Sequence, residues 1–206
     1  MSAPRVAVLG GTFDPFHLGH LAVAVQARDV LIAETAWVIP AAVPPLRGHV
    51  HAGFRDRLDI CRAVVEGMEK IEVLDVELQR GGPSYTVDTM GELRGAHPDN
   101  ELWMVLGADA ARSLPRWHRG EDILAENHVC IVNRAGGRRM LWPEARGLGL
   151  RPDRSRLVGI ASPAISATLI RARLAAGSPI DDLVGTAAAR LIAARRLYLD
   201  SPAVMP

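Results

Sequence analysis

The 206-residue chain predicts an α/β protein: a doubly wound parallel sheet with a Rossmann-like layout and a small helical C-terminal part. Three observations predict it. Short apolar, β-branched runs alternate with longer segments of helical periodicity. The first run leads into Gly10-Gly11 and then a helix start, the layout of a phosphate cradle. The C-terminal ends of four strands fall at Gly10, Pro40, Gly107 and Arg134, and the motifs that carry chemistry cluster at that edge, where open α/β sheets bind ligands.

The elements follow in order. Residues 5–9 form an apolar strand that runs into a diglycine turn, and 18–33, rich in Ala, Val and Leu, form a helix. A short buried strand at 36–40 precedes a proline-rich loop at 41–51. Leu58, Cys61, Val64 and Val65 stand at core spacing in a helix over 54–68. Alternation over 71–78 predicts a strand, broken by Gly81-Gly82-Pro83-Ser84, after which Ser84 or Thr86 caps a helix to about Arg94. A strand at 101–107 leads to a turn region through Leu114-Pro115-Arg116-Trp117, then a helix at 121–126 and a strand at 129–132. Segment 135–153 lacks periodicity and reads as a surface excursion. A strand at 157–160 and helices at 166–176 and 187–197 close a single domain, 1–206, whose helical part begins near 162.

Bulk properties exclude several classes. A formal net charge of +1 argues against a general nucleic-acid binder. Lys70 is the single lysine, so phosphate contacts would fall to Arg, His and backbone amides. Cys61 and Cys130 have no metal-site or redox spacing and read as buried, reduced thiols. No leader pattern opens the chain and no apolar run approaches the ~18 residues of a membrane span. The expectation is a soluble, cytoplasmic protein without membrane or nucleic-acid partners; oligomeric state is not encoded in any readable pattern.

The most informative stretch is Gly10-Gly11-Thr12-Phe13-Asp14-Pro15-Phe16-His17-Leu18-Gly19-His20. It is neither GxGxxG nor a P-loop. His17 and His20, at i and i+3, share one face of a helix's first turn. They read as a metal pair, as ordinary core or surface histidines, or as phosphate ligands; the helix N-terminus and the glycines favour the last. Ser166 and Thr168 begin a second helix whose N-terminus can hold an anion, and Arg171 lies about one and a half turns into it, a fork of donors suited to phosphate.

These residues resemble the nucleotidyltransferase superfamily. His17-Leu18-Gly19-His20 is similar to its HxGH box, and Ile165-Ser166-Ala167-Thr168-Leu169-Ile170-Arg171 to its ISxTxIR box. The middle of the chain narrows the resemblance. Gly82-Pro83-Ser84-Tyr85-Thr86-Val87-Asp88-Thr89, Leu106-Gly107-Ala108-Asp109 and Leu114-Pro115-Arg116-Trp117-His118 resemble segments of bacterial nicotinate-nucleotide adenylyltransferases. Phosphopantetheine adenylyltransferases lack these middle segments, and cytidylyltransferases carry a different second box.

The resemblance implies adenylyl transfer from ATP to nicotinate mononucleotide, giving deamido-NAD and pyrophosphate, with Mg²⁺ held mainly by the ATP phosphates and no protein metal site. The alternatives are nicotinamide mononucleotide as acceptor, or a non-catalytic nucleotide sensor of the same fold. The implied catalytic residues are His17, His20 and Arg171. Implied ATP contacts are Gly10, Gly11, Thr12, Phe13, Gly19, Arg47, Gly107, Asp109 (toward ribose hydroxyls), Ile165, Ser166 and Thr168. Implied acceptor contacts are Ser84, Tyr85, Thr86, Leu114, Trp117, His118 and Arg134, with Trp117 as stacking surface and the N–H groups of Thr86 and His118 on the carboxylate.

One position departs from the family pattern. Where the resemblance implies a histidine after Pro44-Pro45, the chain has Leu46-Arg47. Arg47 alone, or His49 or His51 folding back, are the candidates for that role. The helix N-terminus disfavours imidazolium and bound phosphate favours it, so ATP binding is expected to take up protons near neutral pH.

Overall fold

The computed structural model describes residues 3–46, 49–134 and 136–199. Six strands form one all-parallel sheet: β1 (Arg5–Gly11), β2 (Thr35–Pro40), β3 (Ile71–Val73), β4 (Glu101–Gly107), β5 (His128–Arg134) and β6 (Ser155–Ile160). Their order across the sheet is β3-β2-β1-β4-β5-β6, which places the topological switch between β1 and β4. Strand ends at Gly11, Pro40, Gly107 and Arg134 therefore share one edge, within a residue of the sequence reading.

Alternation along the strands sorts the core into two layers. On β1, Ala7 and Leu9 face one layer, with α1 (Leu18–Leu31), α2 (Phe54–Val64), α8 (Ala167–Ala175), α9 (Asp181–Val184) and α10 (Thr186–Ala194). Val6 and Val8 face the other, with α4 (Thr86–Ala96), α5 (Ala108–Ser113), α6 (Gly120–Glu126) and α7 (Trp142–Gly147). Helices thus cover both faces, as the buried, β-branched strands require. Cys61 and Cys130 lie one in α2 and one in β5, buried and unpaired.

Four local expectations need correction. The diglycine is not a turn: Gly10 and Gly11 are the last residues of β1, paired with Ile39 and Pro40. The chain turns beyond them, where Phe13 adopts a left-handed φ of 49°. The strand predicted over 71–78 stops at Val73, and α3 (Val76–Arg80) follows. Leu74 makes the last ladder bond, to the Val38 carbonyl, and the chain then coils to bury Glu77 against polar partners that a strand could not reach. The turn region after Gly107 is helical, as α5 and a short 3-10 turn at Leu114–Arg116. Segment 135–153 is no mere surface excursion. The buried Asn133 side chain binds both the N–H and the carbonyl of Met140, and Met140, Ala145 and Leu150 enter the core.

Candidate active site

A cleft of about 1140 Å³ opens above the C-terminal strand ends, with a smaller recess of about 170 Å³ that shares Asp109, Arg134 and Ile165 with it. Its volume suits two nucleotide-sized ligands rather than one small molecule.

The first wall is built by the β1–α1 connection. A Cβ on Gly11 would lie 2.6 Å from the Phe13 ring, so the glycine is what lets that ring fold back onto the strand. Phe13 then packs edge-on to Phe16 at 4.9 Å and to His20 at 5.1 Å, which offsets the strain of its left-handed backbone. His17 is the N-cap of α1. Its Nδ1 accepts the His20 N–H at 3.3 Å, so the neutral ring carries its proton on Nε2. The His17 and His20 rings stack at 3.7 Å.

Burial first, then the charge of Arg134, hold the His17 imidazole down at about 4. Burial, with His17 and Arg134 beside it, lowers His20 well below the usual histidine range. The His20 Nδ1 is enclosed without a partner among the described residues. Both rings are therefore neutral near pH 7, and His17 offers an Nε2–H donor without carrying charge.

The second wall comes from the far end of the chain. Ser166 caps α8 by accepting the Leu169 N–H at 3.1 Å, leaving the helix start facing the cleft at Ser166, Ala167 and Thr168. One turn further, Arg171 donates to the Asp14 carbonyl at 2.7 Å. That contact joins residues 157 positions apart and brings the two sequence boxes to one place.

Across the cleft lie the middle segments. The Tyr85 and His118 rings stack at 4.1 Å. The Trp117 indole N–H donates to the Ser113 hydroxyl at 2.8 Å, fixing its half-buried ring at the cleft. The N–H groups of Thr86, at the first turn of α4, and of His118 have no acceptor among the described residues.

Gly10, Gly11, Thr12, Phe13, His17, His20, Ser84, Tyr85, Thr86, Gly107, Asp109, Trp117, His118, Arg134, Ile165, Ser166, Thr168 and Arg171 all line the cleft. Two of the expected contact residues are not brought to the cleft surface. Leu114 is fully buried behind Trp117, where its carbonyl accepts the Trp117 N–H, so it supports the wall without lining it. Gly19 does not line the cleft either; it leaves room for the His17 ring, 3.0 Å from where a Cβ would stand. Arg47 lies outside the described residues.

Two buried carboxylates, Glu77 and Asp14, were not singled out as site residues by pattern. Buried Glu77 accepts the Thr89 hydroxyl at 2.7 Å and the Ala42 N–H at 3.2 Å, while Ser84 Oγ accepts the Val43 N–H at 2.9 Å. These bonds stitch the loop after β2 to the segment that carries Tyr85 and Thr86. Glu77 was hidden by the overlong strand reading. Asp14 stood inside the first box, but nothing in its spacing signals the three N–H groups that its carboxylate accepts.

The strand order, the cleft at the switch point and the paired helix starts define a nucleotidyl-transfer fold, and the cytidylyltransferase-like family model matches residues 8–173. A protein of Herpetosiphon aurantiacus named probable nicotinate-nucleotide adenylyltransferase is 38% identical over 198 residues, covering 95% of this chain and 98% of that one. Its namesake in Shouchella clausii is 37% identical over 200 residues, covering 96% and 98%. The chain belongs to the nicotinate-nucleotide adenylyltransferase family. Among solved structures, Plasmodium falciparum nicotinic acid mononucleotide adenylyltransferase complexed with NaAD superposes with a TM-score of 0.78 at 20% identity, over 95% of this chain and 97% of that one, a likeness of fold.

Proposed function

We propose that the protein transfers the adenylyl group of ATP to nicotinate mononucleotide, forming deamido-NAD and pyrophosphate. The observation that carries this reading is the Arg171–Asp14 contact, which puts both anion-binding helix starts on one cleft opposite the Tyr85, Trp117 and His118 wall. A phosphate oxygen of the mononucleotide attacks the α-phosphorus of ATP, and the bond to the bridging oxygen breaks as pyrophosphate leaves. The nucleophile is already an anion, so the protein needs no general base.

What the chain must supply is alignment and donors for the charge on the leaving group. The neutral His17 and His20, Arg171 and the start of α8 are donors of that kind, and we assign them to the polyphosphate. Trp117 takes the pyridine ring, and the free N–H groups of Thr86 and His118 take its carboxylate. Asp109 and Arg134, shared by cleft and recess, are assigned to the ATP ribose side.

The donors facing the polyphosphate are imidazoles, guanidinium and amides, and Asp14 is saturated by N–H groups. Such a set fits Mg²⁺ arriving on the ATP phosphates with water, where it would neutralise their charge, rather than a protein-held ion. Among the described residues, no helix is long and apolar enough to cross a membrane. Two buried, unpaired thiols support a cytoplasmic setting. Pyrophosphate release with ATP and Mg²⁺ is expected with nicotinate mononucleotide and much less with nicotinamide mononucleotide. Equal turnover would sink the carboxylate assignment, and no release with either would sink the enzyme reading.

A further inference from the structure

We propose that His51 is a further ligand of the ATP polyphosphate, set in place by Asp14 and engaged as imidazolium. The proposal rests on the adenylyl-transfer reading above. Asp14 is almost fully buried, and its Oδ2 accepts both the backbone N–H of His51 at 2.7 Å and the ring Nδ1–H at 3.0 Å. Its Oδ1 accepts the Ala52 N–H at 3.1 Å. The same residue's carbonyl accepts Arg171, so one residue fixes a guanidinium from α8 and an imidazole from the loop before α2. His51 lines the cleft together with His17, His20 and Arg171.

Among the described residues of that loop, the other side chains are less suited to the task. Leu46 also lines the cleft, but it is aliphatic and 64% exposed. His49 also lines the cleft, with its ring edge-on to His51 at 4.8 Å between centroids, but among the described residues it has no side-chain hydrogen bond to hold it there. Among the described side chains of the loop His51 alone is anchored, through Nδ1, and its Nε2 has no partner among the described residues.

The anchoring sets a chemistry opposite to that of His17. His17 accepts on Nδ1 and donates from Nε2 while neutral. His51 donates from Nδ1 to a carboxylate, so its Nε2 donates to an anion only when the ring is protonated. A phosphate held at Nε2 therefore takes its hydrogen bond from a ring that carries a proton on both nitrogens. The other charged or titratable groups near this pair are His49 on the same loop, Arg57 of α2, Arg171 of α8 and Tyr198 after α10. Proton uptake on ATP binding then belongs to His51.

The test is titration calorimetry of the whole chain with a methylene-bridged ATP analogue and with AMP, in two buffers of different ionisation enthalpy. His51→Asn keeps an amide donor for Asp14 and removes the distal nitrogen. It is expected to keep its melting temperature and its AMP affinity, to bind the analogue about tenfold more weakly, the scale of one charge-assisted hydrogen bond, and to lose proton uptake. Analogue affinity like wild type, or equal weakening for analogue and AMP, overturns the assignment in favour of a purely structural histidine. Should His51→Asn fail to fold, His51→Gln carries the proton count, and uptake that persists there overturns it too. Wild-type protein that binds no analogue overturns the adenylyltransferase reading itself, whereas normal wild-type binding with an indifferent His51→Asn overturns only this proposal.

Discussion

The two sides of the cleft are built in different ways. On the side assigned to the polyphosphate, the side chains sit on the first turns of α1 and α8 and, for Arg171, one turn further; His17 is 2% exposed, and ring packing fixes a backbone held in a left-handed conformation. On the side assigned to the acceptor, Tyr85, Trp117 and His118 sit on connecting segments, half-buried or exposed, held by one ring stack and one indole hydrogen bond. Charge stabilisation in a transition state depends on donors that need no reorganisation, which rewards the first construction. Recognition of an aromatic acceptor needs a surface that closes on it, which the second permits.

The contrast can be broken most sharply at His20. His20→Ala is expected to lower kcat by ~10²–10³, the scale of one preorganised donor, in a protein that still folds although its melting temperature falls with the lost ring packing. Steady-state rates that fall only a few-fold would make the first wall a scaffold. Trp117→Ala is expected to raise the KM for nicotinate mononucleotide about tenfold while kcat falls less, because it removes binding shared by ground and transition states. An unchanged KM would take Trp117 out of the acceptor pocket.

Acid sensitivity separates the walls in another way. The His17 ring resists protonation when folded, at about 4 against an ordinary 6.5, so the unfolded chain binds the extra proton in that window. Stability then falls as pH drops below 6.5, by about 2 kcal/mol for this one group by pH 5. Urea unfolding at the two pH values measures it. His17→Asn, which can still cap α1, should flatten the slope, and an unaltered slope would place the sensitivity elsewhere. The smallest effect is expected at Ser113→Ala: losing the indole partner costs about 1 kcal/mol, seen as a roughly fivefold rise in acceptor KM with kcat unchanged.

Much of this architecture is legible in the sequence. Strand alternation and the positions of Gly10, Pro40, Gly107 and Arg134 set out the sheet and its ligand edge, because burial on both faces leaves a continuous apolar signature in each strand. The two boxes were visible because a helix start that binds anions needs particular residue types at fixed spacing. The misses have a common origin. Residues 71–78 alternate as a strand does, yet Glu77 turned the segment into a helix by finding Thr89 and Ala42, partners distant in sequence. Leu114 sits between residues that line the cleft, and only packing decided that it faces inward.

The sequence by itself determined the fold class, the nucleotide chemistry and most of the residues at the cleft, since those follow from local periodicity and local motifs. Only the tertiary structure decided that Arg171 meets Asp14, that Asp14 also orients His51, and that His17 and His20 are neutral. Contacts across 157 and 37 positions, and the desolvation that moves an imidazole, are properties of the packed chain and leave no pattern along it.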